Sequence, residues 1–257
     1  MKRGWLSCAT VFLGVCILGM ARADIHVDVT WTGAASGTAT APYTNLAAAA
    51  SDFAANGGTV KVAGGLYISK SEGGYESFGT DGYDLGGKGG NWNGGYAGWD
   101  GSGTGSGDFD WSTRMLPDAD AIDTNTMTVV DLTNANSRAF LNSAYSVNCD
   151  FNGFVFRNSK VTQGSYNGGA LLLGGGMSAS EIKNCVFRNN ETTGDGGGVY
   201  LTGRGGTSRD CVLIGNTAGG NGGGIWCRPG NGSQSVEGFV CQSNTAANGG
   251  GLYVGAY

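Results

Sequence analysis

Short apolar strands recur through the second half of the chain, and the glycine runs that precede some of them repeat at intervals of 26 to 28 residues. Each copy has Asn or Asp, a run of glycines and a short aliphatic or aromatic strand, and the copies start at Asn167, Asp195, Asn221 and Asn248. A second strand precedes each glycine run, starting at Phe154, Cys185, Cys211 and Phe239. Strands this short cannot bury a face alone, so the copies must stack, each strand parallel to its counterpart about 4.8 Å away. The pattern predicts an all-β, right-handed parallel β-helix, with regular rungs over residues 128–257.

Alternation along these strands assigns side chains to the interior or the exterior. The interior positions are Leu171, Val199, Ile225 and Leu252; Leu173, Leu201, Cys227 and Val254; Phe154, Cys185, Cys211 and Phe239; and Phe156, Phe187, Leu213 and Cys241. We interpret the cysteines in this set as small apolar residues. A disulfide between Cys185 and Cys211 is the alternative, although parallel strands make its geometry awkward. The pairing state of Cys149, which lies outside the set, is also open.

The outward position of the strand after each glycine run holds Leu172, Tyr200, Trp226 and Tyr253. Stacked one rung apart, Tyr200, Trp226 and Tyr253 predict a flat aromatic platform that binds carbohydrate, with a polysaccharide or cell-surface glycan as the partner. The alternative is that these rings only stabilise the sheet by stacking.

Asn190, Asn216 and Asn244 recur at one turn position. An asparagine tolerates a left-handed backbone, and its amide can bond to the copy one rung away. We interpret these residues, and the glycine runs, as structural rather than ligand-binding.

Residues 24–72 are predicted to form an N-terminal cap and the first rung. Alternation over residues 25–31 predicts an opening strand, and residues 59–62 predict a strand of the first rung. Between them we expect a short helix that starts at an N-cap Thr44, ends at Asn56 and Gly57, and has one apolar face made of Leu46, Ala49, Ala50 and Phe53. The hydrophobic end of a β-helix must be covered, so this helix is predicted to cap it.

Residues 73–127 are interpreted as a Gly- and aromatic-rich insertion with early irregular rungs. Aromatic side chains and carboxylates interleave with glycine here, which is typical of a sugar-contacting or cation-binding loop. An irregular rung that must pin a Gly-rich backbone would have the same composition. Asp118, Asp120 and Asp123 form a weak candidate for calcium; no other metal and no cofactor are predicted.

The first 23 residues are predicted to be a signal peptide. Lys2 and Arg3 precede an apolar run, and Ala21-Arg22-Ala23 supplies a cleavage pattern, so we expect cleavage after Ala23 and a secreted or cell-surface protein. Loss of three of the 15 Lys and Arg residues leaves 12 against 20 carboxylates, a net charge of −8. This charge argues against nucleic acid as a partner.

Catalytic chemistry has little support in the sequence. His26 is the only histidine, which excludes Ser-His-Asp triads and multi-histidine zinc sites. Over residues 151–257 no two carboxylates occupy equivalent rung positions, whereas glycoside hydrolysis needs two facing acids. No catalytic residue is predicted, and whether the chain is an enzyme is left open, with the balance against it.

Several segments resemble secreted bacterial β-helix proteins of the pectin-lyase-like type. These are Ile25-His-Val-Asp, residues 42–46 leading into the Ala-rich helix, residues 58–67, and residues 94–98 followed by 111–114. The glycine runs and the Phe-x-x-Asn-like motifs, of which only Phe187-Arg-Asn-Asn190 fits fully, are similar to the repeats of chlamydial-type polymorphic outer membrane proteins. The resemblance implies export, a cell-surface or extracellular location and often adhesion.

Three functions follow as hypotheses. The first is an exported scaffold, adhesin-like or polysaccharide-binding, without evident catalysis. The second, implied by the resemblance, is a polysaccharide lyase or glycosidase. The third is a structural spacer of a larger surface protein. Because the chain stops at Tyr257, just after the fourth glycine run, we expect a fragment, or a further segment or second copy that covers the open end.

Overall fold

The computed structural model describes residues 23–68, 81–102, 106–142, 147–162, 167–174, 179–205, 207–229 and 234–255. Within these ranges the chain winds through three long sheets, which it visits in every rung, and one short sheet, to which three of the rungs contribute a strand. The strand pairs are parallel, with one exception between β5 (Gly90–Trp99) and β6 (Phe109–Arg114). The all-β parallel solenoid predicted from the repeats is confirmed. The proposed signal peptide lies outside the described residues.

We number the sheets 1 to 4 in the order in which a complete rung visits them. Sheet 1 contains β5 and β6 together with β1 (Ile25–Val27), β2 (Gly58–Ala63), β9 (Cys149–Asn152), β13 (Ile182–Lys183), β17 (Thr207–Arg209) and β21 (Ser235–Glu237). Sheet 2 contains β3 (Gly65–Ile68), β7 (Thr128–Asp131), β10 (Phe154–Arg157), β14 (Val186–Arg188), β18 (Val212–Ile214) and β22 (Val240–Gln242). Sheet 3 contains β11 (Lys160–Val161), β15 (Glu191–Thr192) and β19 (Thr217–Ala218). Sheet 4 contains β4 (Tyr83–Asp84), β8 (Phe140–Asn142), β12 (Leu171–Leu173), β16 (Val199–Gly203), β20 (Ile225–Pro229) and β23 (Leu252–Val254).

The helix α1 (Leu46–Asn56) covers the start of the solenoid. Its N-cap is Asn45, whose side chain accepts a hydrogen bond from the Ala48 N–H at 2.9 Å, so the sequence prediction of Thr44 was one residue early. Gly57, with φ of 70°, ends the helix as predicted. The predicted apolar face is buried and packs with β1, β2 and β4. The capping role of the helix is confirmed.

The predicted interior columns form the core. Their members in β10, β12, β14, β16, β18 and β20, and the cysteines before β14 and β18, are at most 3% exposed. Phenyl rings stack along one column, with centroids 5.4 Å apart for Phe156 and Phe187. The last rung keeps the register, but Leu252 and Val254 are 41% and 56% exposed, because no described strand lies beyond them. The predicted register of the interior positions is therefore correct throughout, but the interior positions of the last rung are not buried.

The three positions of each glycine run have different roles. The first, at Gly168, Gly196, Gly222 and Gly249, has φ between 62° and 75°, a region that glycine adopts without a steric cost. At the second position the backbone lies very close to the next rung, so that a Cβ at Gly197 would overlap the Gly223 carbonyl oxygen. The third accepts a methyl group in the first copy, where Ala170 is fully buried.

The hydrogen-bonded asparagine ladder is present as predicted, but the left-handed backbone lies one residue earlier than expected, at Asn189, Gly215 and Ser243, with φ of 54°, 65° and 54°. The Asn190 side-chain amide donates to the Asn216 Oδ1 at 2.9 Å, and the Asn216 amide donates to the Asn244 Oδ1 at 2.9 Å. Each amide also donates to a backbone carbonyl of the preceding rung, that of Phe156 for Asn190 and that of Phe187 for Asn216. Asn190 and Asn216 are fully buried, so water cannot reach the backbone at this corner of the rung. The asparagine side chains supply the hydrogen bonds that the backbone groups there need.

A second apolar cluster lies on the outside of sheet 2. Alternation assigns Val129, Val155 and Val186 to the exterior, yet all three are at most 2% exposed. Ala119 and Ile122, from the segment between β6 and β7, pack over them. The sequence analysis did not predict this packing, because periodicity shows which face a residue occupies but not what covers that face.

Candidate functional site

The aromatic column lies on the outer face of sheet 4, where β16, β20 and β23 run in register. Tyr200 pairs with Trp226, and Trp226 with Tyr253. The rings of Tyr200 and Trp226 are stacked, with centroids 4.3 Å apart and planes 2° from parallel. The Arg228 guanidinium lies 5.7 Å from the Trp226 ring centroid. The strands therefore bring the predicted residues together on one surface.

The stacking determines which ring atoms solvent can reach. Trp226 is only 6% exposed, because Tyr200 covers one face of its ring and Arg228 and Gly255 lie close to it. Tyr200 and Tyr253 are half-buried. The surface available to a ligand thus consists mainly of the two tyrosines at either end of the column. Such a surface can contact the apolar face of a sugar and hydrogen-bond to its hydroxyl groups.

Two carboxylates that the sequence analysis did not combine lie side by side on sheet 1. Asp150 occupies the same position in β9 as Glu181 does immediately before β13, and the Glu181 N–H donates to the Asp150 Oδ1 at 2.9 Å. The search for carboxylates at equivalent rung positions covered residues 151–257, so Asp150 fell one residue outside it. Alignment of β9 with the later strands would have found the pair.

The environments of these two carboxyls differ. Burial raises the pKa of Asp150, and the negative charge of Glu181 adds to this effect. Burial also acts to raise the pKa of Glu181, but hydrogen bonds from Lys183 and from the Thr207 N–H, the latter at 2.6 Å, lower it below its usual value. A pair of carboxyls with opposite shifts can supply one proton donor and one carboxylate.

The five cysteines among the described residues have free thiols. Cys149, Cys185, Cys211 and Cys227 are buried, and burial raises the pKa of Cys149 to about 12. A thiol with so high a pKa is unreactive at neutral pH. The burial of Cys185, Cys211 and Cys227 agrees with the interpretation of these residues as small apolar side chains, whereas Cys241, in the last rung, is exposed.

The insertion supplies packing groups. Trp92 is fully buried, and Tyr83 and Tyr96 are 8% exposed, so these rings support the early rungs. Asp123 accepts hydrogen bonds from the Asn125 N–H and the Thr126 hydroxyl, and Asp118 accepts from the Asp120 N–H. In the part of the chain that the structure describes, no group of three or more His, Cys, Asp or Glu side chains is arranged to hold a metal ion.

The model of the Chlamydia polymorphic membrane protein repeat matches residues 184–202 and 210–228. Two consecutive stretches of the chain are thus similar to this repeat. Each matched stretch runs from the corner before sheet 2 to sheet 4, so it contains one ladder asparagine, one glycine run and one aromatic residue of the column, Tyr200 or Trp226. Comparison with curated proteins and with solved structures finds no match. Among the described residues, no helix has the length and apolar content needed to cross a bilayer.

Proposed function

We propose that the protein is an exported cell-surface or extracellular β-solenoid that binds glycans, in the manner of an adhesin, through the aromatic column of sheet 4. The observation that carries this proposal is the in-register stack of Tyr200 and Trp226 on an outward face. Two matches to a repeat of polymorphic membrane proteins support the surface location. The N-terminal pattern that predicts cleavage after Ala23 supports export.

Binding would use the half-buried ends of the column. A sugar ring placed beside Tyr200 or Tyr253 buries apolar C–H groups against the aromatic ring, and the phenolic hydroxyls can exchange hydrogen bonds with its hydroxyl groups. Because successive residues of the column lie about 4.8 Å apart, the surface suits an extended chain of sugars rather than a single one. The Tyr200 ring, held by its stack on Trp226, also loses little conformational entropy on binding.

We expect the double substitution Tyr200→Ala with Tyr253→Ala to weaken polysaccharide binding about tenfold, which corresponds to a loss of about 1.4 kcal/mol. Affinity electrophoresis in gels that contain plant, bacterial or host polysaccharides measures the retardation. Trp226 is left in place because it is buried and its removal would also disturb the sheet. Leu141→Ala, in the same column two rungs before Tyr200, is the matched control and should leave the retardation unchanged. Equal retardation of the double variant and the unsubstituted protein would contradict the proposal.

A second candidate function is glycoside hydrolysis at Asp150 and Glu181. The spacing of adjacent rungs, about 4.8 Å, is close to the separation of about 5 to 5.5 Å between the two carboxyls of retaining glycosidases. In this hypothesis Asp150, with the raised pKa, donates a proton to the leaving oxygen, and Glu181 acts as the nucleophile. The outward, in-register placement of the pair is the observation that favours it.

If this hypothesis is correct, the protein releases reducing ends from a polysaccharide, and Glu181→Gln lowers the rate at least 100-fold. Glu191→Gln is the matched control, since Glu191 is also paired with a lysine, Lys160, but belongs to sheet 3. Hydrolysis that survives Glu181→Gln would exclude the pair. No hydrolysis and no polysaccharide retardation together would favour the spacer function.

A further inference from the structure

A cavity of about 280 Å³ lies between the β5–β6 hairpin and the segment that returns to β7. Its walls include Tyr96 and Ala97 from β5, Arg114 at the end of β6, and Asn125 from the returning segment. Two of the segments that stand out in the sequence, residues 94–98 and 111–114, thus meet around one cavity. Neither the aromatic column nor the carboxylate pair uses these residues.

Arg114 gives this cavity a positive wall. Its Nε donates to the Gly94 carbonyl oxygen and its Nη2 to the Asn152 carbonyl oxygen, both at 2.9 Å, which fixes the guanidinium in place. The guanidinium carbon lies 5.1 Å from the Tyr96 ring centroid. Among the described carboxylates none lies within 4.0 Å of Arg114, so its charge has no anionic partner there.

The other cation near this ring is balanced. The Lys61 ammonium lies 5.7 Å from the Tyr96 ring centroid, and it forms a salt bridge with Asp24 at 3.0 Å. Arg114 is therefore the group through which the cavity attracts an anion. An arginine that is held rigidly by backbone carbonyls and has a remaining N–H group is well suited to accept a carboxylate.

We propose that this cavity binds a small organic carboxylate, independently of the glycan-binding proposal. The carboxylate lies against the Arg114 guanidinium, and the body of the ligand packs between Tyr96, Ala97 and Met115. Asn125 and Thr113 line the same space and offer an amide and a hydroxyl for polar groups of the ligand. The volume is at the lower end for ligand pockets, which limits the occupant to one sugar acid or one short aliphatic acid.

The test uses the full folded chain with Tyr200→Ala and Tyr253→Ala, which removes the aromatic column as a second sugar site, and ligand-observed saturation-transfer NMR with three probes: D-glucuronate, D-glucose and hexanoate. We expect transfer to at least one carboxylate and none to D-glucose, which matches glucuronate except for its charge. Transfer to glucuronate alone identifies a sugar acid, and transfer to hexanoate alone identifies an aliphatic acid. Absence of transfer to both carboxylates, or equal transfer to glucose and glucuronate, overturns the proposal.

Two substitutions locate the binding. Ala97 is exposed at the cavity wall, so Ala97→Leu fills the space while Arg114 itself is kept, and it should reduce the transfer at least fivefold, whereas Ala97→Ser should keep it. Arg114→Gln should abolish the transfer. Arg114 also connects β6 to β5 and β9, so the binding result for Arg114→Gln is interpreted only if the circular dichroism spectrum and melting temperature of this variant are native. If they are not, the result for Ala97→Leu tests the proposal. Full transfer in Ala97→Leu places the ligand elsewhere and overturns the proposal.

Discussion

Gly197→Ala is expected to destabilise the protein by about 3 kcal/mol or more, an overpacking effect at the upper end of what one added methyl group causes. Gly197 is the middle residue of its glycine run, and its added Cβ would overlap the Gly223 carbonyl oxygen and lie 2.7 Å from backbone atoms of Thr217. Both neighbours are backbone of the next rung, which cannot move away without breaking the parallel pairing. Urea denaturation followed by circular dichroism measures the loss.

The matched control is Gly107→Ala, at a glycine whose added Cβ would meet nothing within 4 Å. We expect this substitution to change the free energy of unfolding by no more than about 0.5 kcal/mol. Gly198→Ala should fall between the two, because the first copy already holds Ala170 at that position. A Gly197→Ala protein as stable as the Gly107→Ala protein would contradict the close approach of the rungs.

Asn216→Ala is expected to cost about 3 to 5 kcal/mol, the sum of two backbone groups left without partners inside the protein. The Asn216 side chain accepts from the Asn190 N–H at 3.1 Å and donates to the Phe187 carbonyl at 3.0 Å. It also bonds to the ladder asparagines on both sides, so its loss divides the ladder. Because Asn216 is fully buried, water cannot replace these bonds.

Asn248→Ala is the control for this prediction. Asn248 is exposed and donates to the Asn221 Oδ1 at 2.8 Å, so water can take the place of the lost bond, and we expect a change below about 1 kcal/mol. The two denaturation curves should therefore differ clearly in midpoint. Equal midpoints would mean that the buried ladder contributes no more than an exposed asparagine bond.

The outcome for the aromatic column shows what a repeat pattern can and cannot predict. In-register stacking follows from strand length and period, since parallel copies place equivalent side chains about one rung apart. Which part of each ring solvent reaches depends on ring orientation, and here Trp226 is covered by Tyr200 and by Arg228, a residue two positions further along the same strand. Sequence spacing carries no information on that orientation.

The sequence by itself determined the solenoid, its interior columns and its asparagine ladder, because each depends on a pattern that recurs from rung to rung. It also determined the capping helix, whose apolar face and Asn-Gly end are local signals. Tertiary structure alone decided the features that join residues without a common period. The cover over Val155 came from a distant segment, and the Arg114 cavity required the segment after β6 to return beside the β5–β6 hairpin. The Asp150 and Glu181 pair, by contrast, occupies equivalent rung positions and was within reach of a strand alignment. The cover and the cavity depend on where irregular segments return to the solenoid, and the residues of those segments do not encode that position in any repeat.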